Sequence, residues 1–142
     1  MVCTFFGHKN TSEAIKNELK SSIEYLINKG VKNFYVGNNG NFDLLVQNTL
    51  LTLQKVYTDI DYKIVISYIN EKAISGAQSL TIFPEGLEII HPKFAISKRN
   101  EWLIDRADYV ISYCTNSFTN CHKWIEKATK KGLTIINLYH TV

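Results

Sequence analysis

The sequence predicts an α/β fold built on a parallel β-sheet, and three observations carry that prediction. Short β-rich apolar runs alternate with longer segments whose apolar residues recur at helical spacing. Several of the strand-like runs are continuously apolar, as expected when helices cover both faces of a sheet. The strand–helix order repeats along nearly the whole chain, which calls for right-handed crossovers between parallel strands.

Taken in order, Cys3 to Phe6 is the first strand and ends at Gly7. Asn10 and Glu13 have capping-box spacing ahead of a helix, whose apolar positions are Ile15, Leu19, Ile23, Leu26 and Ile27. Gly30 suits the stop of that helix. Phe34 to Val36 is a second strand, and the turn Gly37-Asn-Asn-Gly-Asn41 leads into a helix from about Phe42 to Tyr57. Tyr62 to Ser67 is a third strand. The span from Asn70 to Lys93 is the least regular and reads as a functional loop with a short helical piece, with a turn at Pro84-Glu-Gly86. A helix follows from about Phe94 to Arg106, a strand from Tyr109 to Cys114, a helix from about Phe118 to Lys131, and a last strand from Thr134 to Leu138. The expectation is an open, Rossmann-like parallel sheet of about five strands with helices on both faces, formed by one domain over residues 1–142.

Composition narrows the function classes. The 142 residues are 45% hydrophobic with two prolines, a globular balance. Sixteen basic and 13 acidic residues leave a net charge of +3, weak support for a nucleic-acid partner. The basic residues Lys123, Lys127, Lys130 and Lys131 suit a solvated face near a helix C-terminus. No apolar run is long enough for a membrane span or a signal peptide. Three cysteines without CxxC spacing cannot all pair within the chain, so a reduced, cytoplasmic protein is expected. Cys3 and Cys114 should sit on neighbouring strands, both buried and reduced.

In open parallel sheets, ligands bind beyond the strand C-termini, where the strand order reverses. That rule points to Gly7-His8, Gly37 to Asn41, Ser67-Tyr68 and Thr115 to Asn120. The Gly37–Asn41 turn is rich in residues that tolerate positive φ and could converge backbone N–H groups on an anion, with Asp43 in the first helical turn. The competing reading is a tight turn and nothing more. His8 could meet a phosphate or ribose, or be structural. Arg99, in Lys98-Arg-Asn100 near a helix start, suits a phosphate or carboxylate, or is a surface cation. Glu85 and Glu88 are candidate general acids or solvated carboxylates. No metal site, GxSxG elbow or papain-like pair is legible, and no cofactor is implied.

Several segments together resemble one family. They are Cys-Thr-Phe-Phe-Gly-His-Lys9, Phe34-Tyr-Val-Gly-Asn-Asn-Gly-Asn-Phe-Asp43, Phe83-Pro-Glu-Gly-Leu-Glu88, Phe94-Ala-Ile-Ser-Lys-Arg-Asn-Glu-Trp-Leu-Ile104, Asp108-Tyr-Val-Ile111 and Ile135-Ile-Asn-Leu138. Their order resembles the DUF1273 (YpsA-like) branch of the SLOG superfamily, the Rossmann-like group that includes the DprA and LOG proteins. The resemblance covers nearly the whole chain. It implies a pocket for a nucleotide or a nucleotide derivative, formed by Gly7, His8, Asn38, Gly40, Asp43, Glu85, Arg99 and Asn100, with Ser117, Thr119 and Asn120 at the last turn. It implies a homo-oligomer only by analogy. One departure stands out: Thr119-Asn120 occupies positions where such relatives carry Gly-Gly, and the LOG-type Pro-Gly-Gly-x-Gly-Thr-x-x-Glu signature is absent.

Three functions are compatible with this reading. The leading one is a protein that binds a phosphorylated, nucleotide-like small molecule as a sensor or sequestering module. The second is an N-ribohydrolase acting on a nucleoside monophosphate or NAD-related compound, with Glu85 as acid or water activator and Arg99 holding phosphate. The third is an interaction protein whose pocket has decayed.

Overall fold

The structure is a computed structural model that describes residues 1–67, 81–115 and 119–139. Within them six strands form one sheet: β1 (Val2–Gly7), β2 (Asn33–Val36), β3 (Asp61–Val65), β4 (Thr81–Ile82), β5 (Tyr109–Tyr113) and β6 (Thr134–Asn137). The order across the sheet is β4-β3-β2-β1-β5-β6, and every pairing is parallel. Among the described residues there are four α-helices: α1 (Lys16–Asn28), α2 (Asn41–Gln54), α3 (Pro92–Arg106) and α4 (Asn120–Lys130). The sixth strand is the two-residue β4, which lies inside the span expected to be a loop. Two residues are too few to show as a pattern; β4 is specified by its pairing with Ile64 and Val65.

The helices divide between the two faces, as parallel crossovers of one hand require. Side chains alternate across each strand. Cys3, Phe5, Phe34, Val36 and Ile111 enter the core under α1 and α2, with Leu19, Ile23, Leu26, Val46, Leu50 and Leu53. Phe6, Val65 and Val110 enter the opposite core with Leu103 and Ile104 of α3 and Trp124 and Ala128 of α4. Each fully buried aliphatic or aromatic side chain contributes roughly 1.5–3 kcal/mol, so these two layers dominate the stability.

Several boundaries shift for local reasons. Asn10 and Glu13 do not form a capping box. Ser12 instead accepts from the Ala14 N–H and caps a single 3-10 turn, Glu13–Ile15, that feeds α1. Helix α3 starts two residues before Phe94, because the His91 ring accepts from the Lys93 N–H and Pro92 supplies the first helical φ. The turn at Pro84-Glu-Gly86 forms as expected, with the Leu87 N–H bonded to Pro84 O and Gly86 at φ +93°. Tyr68 and Ser117 lie outside the described residues. No helix among the described residues is long and apolar enough to cross a membrane.

Candidate functional site

Strand β1 lies between β2 and β5, so the chain order reverses at β1/β5. At the C-terminal ends of these strands is a cleft of about 680 Å³. Phe6, Gly7 and His8 of β1 and its turn, Gly37 and Asn39 after β2, and Asp43 of α2 form one side. Arg99, Asn100 and Leu103 of α3 and Thr119, Asn120 and Cys121 at the start of α4 form the other. Two helix N-termini, those of α2 and α4, therefore border one cleft, and each brings a positive dipole end.

Arg99 is the main correction to the sequence reading. It sits in the middle of α3, not at its start, and is 4% exposed. Its Nε and Nη2 both donate to Asn100 Oδ1, at 3.2 and 2.9 Å, and Nη1 donates to Val65 O at 3.5 Å. A guanidinium has five N–H donors, so these three bonds leave donor capacity at the cleft. Burial lowers the Arg99 pKa from its ordinary value, and the Asp43 carboxylate partly restores it.

Asp43 is also buried, at 8% exposed, and its Oδ2 accepts from the Asn39 N–H at 2.9 Å. Burial pushes its pKa up to about 6, against the opposing pull of Arg99 and of the Asn39 N–H. Gly37 lies between the two charges. A Cβ there would stand 2.8 Å from both Arg99 Nη1 and Asp43 Oδ2. This glycine is needed for close approach rather than for a positive φ.

The Gly37–Asn41 turn does not present a free ring of N–H groups. The Asn39 N–H is taken by Asp43, and the Asn41 N–H donates to Lys9 O at 2.8 Å. Gly40 has φ +89°, and a Cβ on it would meet the Lys9 backbone at 2.6 Å, so it is required by both conformation and contact. Asn38 Oδ1 is buried without a hydrogen-bond partner. At Gly7, a Cβ would collide with the Phe42 ring. The turn thus shapes the cleft, and the buried cation in the lining is Arg99.

The structure brings Gly7, His8, Asp43, Arg99, Asn100, Thr119 and Asn120 to one cleft. Asn38 and Gly40 are not in its lining. Glu85 is exposed and outside the lining, and Glu88 bonds the Gly86 N–H. Asp43 is the only carboxylate in the lining among the described residues. Sequence reasoning missed Lys9, Lys123 and Cys121, which also line the cleft. Lys123 was visible only as one charge of a basic helix face.

The cysteines depart from expectation. Cys3 and Cys114 are buried, and β1 and β5 are neighbours, as expected. Cys114, however, is joined to Cys121 by a disulfide, and Cys3 alone is free. The last helix returns to the end of β5 and sets the two Cα atoms 6.0 Å apart, a separation that suits a disulfide. His8, Cys114 and Cys121 offer ligand atoms within 4.8 Å of one another, a cluster that sequence spacing does not reveal.

No family model matches the chain, and no curated protein matches it. Among solved structures, DNA processing protein A (DprA) from Streptococcus pneumoniae is similar, with a TM-score of 0.71 at 16% identity. The match covers 99% of this chain and 50% of that one, so this chain spans about half the length of the DprA chain. The likeness is one of fold: an α/β, Rossmann-like parallel sheet, as the SLOG resemblance implies through its DprA member.

Proposed function

We propose that the cleft binds a phosphorylated, nucleotide-like small molecule, and that the protein acts as a sensor or sequestering module of the DUF1273 branch. The observation that carries this reading is the buried Arg99 guanidinium facing a cleft at the switch point of the sheet. A buried cation needs a partner, and Asp43, raised to about 6, is a weak one. A phosphate seated against Arg99 and the α4 N-terminus would supply charge-assisted hydrogen bonds. Asn39, Asn100 and Asp43 line the same cleft, and in this reading they meet ribose hydroxyls or base edges.

The enzymatic alternative rests on Asp43 rather than Glu85. Its raised pKa lets a carboxyl hold or release a proton near neutrality. The experiment is incubation with a panel of nucleosides, nucleoside mono-, di- and triphosphates and NAD-related compounds, read by thermal shift and by chromatography of the products. A shift with phosphorylated members and no free base or ribose phosphate supports the binder. Released base supports the hydrolase. No shift and no product across the panel overturns both.

A further inference from the structure

A sulfur cluster borders the cleft and has no role in the ligand chemistry above. Cys114 follows β5, Cys121 is the second residue of α4, and a disulfide joins them. His8 Nδ1 lies 3.6 Å from Cys121 Sγ. The Thr115 backbone N–H donates to His8 Nε2 at 3.0 Å. A backbone N–H can only donate, so Nε2 holds the lone pair and the ring proton sits on Nδ1, directed at Cys121. Thr119 Oγ1 is 3.4 Å from Cys121 Sγ and 3.8 Å from Cys114 Sγ. Cys121 lines the cleft, and Cys114 does not.

We propose that Cys114 and Cys121 form a redox-active pair that exchanges with low-molecular-weight thiols and disulfides entering through the cleft, with Cys121 as the reacting sulfur. In the reduced protein, the Cys121 thiolate receives the His8 Nδ1–H and sits at the positive end of an 11-residue helix. Both features favour thiolate over thiol. The Cys121 thiolate attacks a small disulfide RSSR, forming a Cys121–SR mixed disulfide and expelling RS⁻. The Cys114 thiolate then attacks Cys121 Sγ, closes the protein disulfide and expels the second RS⁻. Two protein thiols are oxidised, one RSSR is reduced to two RSH, and the expelled thiolates take up the two protons lost by the cysteines. Reduction runs these steps in reverse, starting with attack on Cys121 Sγ, the cleft-lining sulfur. The rival occupant of the cluster is a soft metal ion. The Thr115 backbone bond opposes it, because a metal on Nδ1 would leave the proton on Nε2, where Thr115 Oγ1 at 3.1 Å could accept it but the Thr115 N–H would lose its partner.

The test equilibrates the native full chain in glutathione buffers of varied reduced-to-oxidised ratio, then quenches with acid, alkylates and counts thiols by intact mass. The expected result is a reversible transition between one and three thiols. Peptide mapping of reduced protein under brief iodoacetamide should show Cys121 labelled at least tenfold faster than Cys114, with Cys3 unlabelled. His8→Ala should slow Cys121 labelling severalfold near neutral pH. Three thiols at every ratio, a disulfide that resists reduction until the protein is denatured, or faster labelling of Cys114 would overturn the proposal. So would stoichiometric zinc uptake by the reduced protein that blocks labelling, which would make the cluster a metal site. Thiol counting and mapping use the unmutated protein, so they stand even if His8→Ala fails to fold.

Discussion

Replacing Asp43 by Asn probes the energetics of the cleft most sharply. The Asp43 carboxyl is moved from an ordinary 3.8 to about 6, because the cost of burying its charge exceeds the help from Arg99 and the Asn39 N–H. The folded state therefore holds the proton more tightly than the unfolded chain does. The stability from this group is fully present below about pH 3.8 and is lost as pH rises through about 6. At ~1.36 kcal/mol per pH unit the loss is about 3 kcal/mol. The amide introduced by Asp43→Asn keeps the shape and can still accept from the Asn39 N–H, but it cannot ionise. Urea unfolding of both proteins between about pH 4 and pH 8 should show the variant gaining on the wild type as pH rises, by about 3 kcal/mol in all. A stability difference that is flat with pH, or that shrinks as pH rises, would refute the reasoning. It would mean that Arg99 already holds Asp43 as an ordinary carboxylate.

Other substitutions test neighbouring parts of the argument. Arg99→Ala removes the cation that lowers the Asp43 pKa, so Asp43 should titrate above 6 in that variant, as read by carboxyl NMR, and urea unfolding should show a loss of roughly 1–3 kcal/mol, the scale for leaving the buried Asn100 Oδ1 and Val65 O without their donor. Gly37→Ala forces a methyl against Arg99 Nη1 and Asp43 Oδ2; it should cost roughly 1–3 kcal/mol by thermal melting and should abolish the thermal shift by nucleoside monophosphates. Gly40→Ala combines a strained φ with contact against Lys9, and should destabilise by more than ~1 kcal/mol in urea unfolding. Thr119→Gly with Asn120→Gly should leave the fold intact and raise affinity for simple nucleoside monophosphates in calorimetry, since both residues line the cleft and glycine lets a ligand approach the backbone more closely.

The two-faced core was legible because it follows from periodicity. Leu19, Ile23 and Leu26 mark one buried helix face, and the near-continuous apolar run Cys3 to Phe6 marks a strand covered on both sides. The cleft's location followed from topology, since a strand order that reverses at β1 fixes where the crevice lies. What was not legible depends on distance in space. Arg99 was legible as a candidate anion-binding residue, but its place in the middle of α3 and its burial beside Asp43 were not, because they come from the packing of α3 against the sheet. Cys114 and Cys121 lack a recognised spacing, and their bond depends on how α4 returns to β5. Glu85 sits inside a well-formed turn, yet it is exposed and outside the cleft lining.

The central claim is that Arg99 grips the phosphate of a nucleotide-like ligand in the cleft. The most direct measurement is the ¹⁵N-edited NMR signal of the Arg99 Nε–H during titration with nucleoside 5′-monophosphates and with the matching nucleosides. This signal arises from a donor already bonded to Asn100 Oδ1, so it reports any change in how the guanidinium is held. The expected result is a saturable shift of the Arg99 signal with at least one monophosphate and little or none with its nucleoside. An Arg99 signal unmoved by every phosphorylated compound, or moved equally by a nucleoside and its monophosphate, would contradict it.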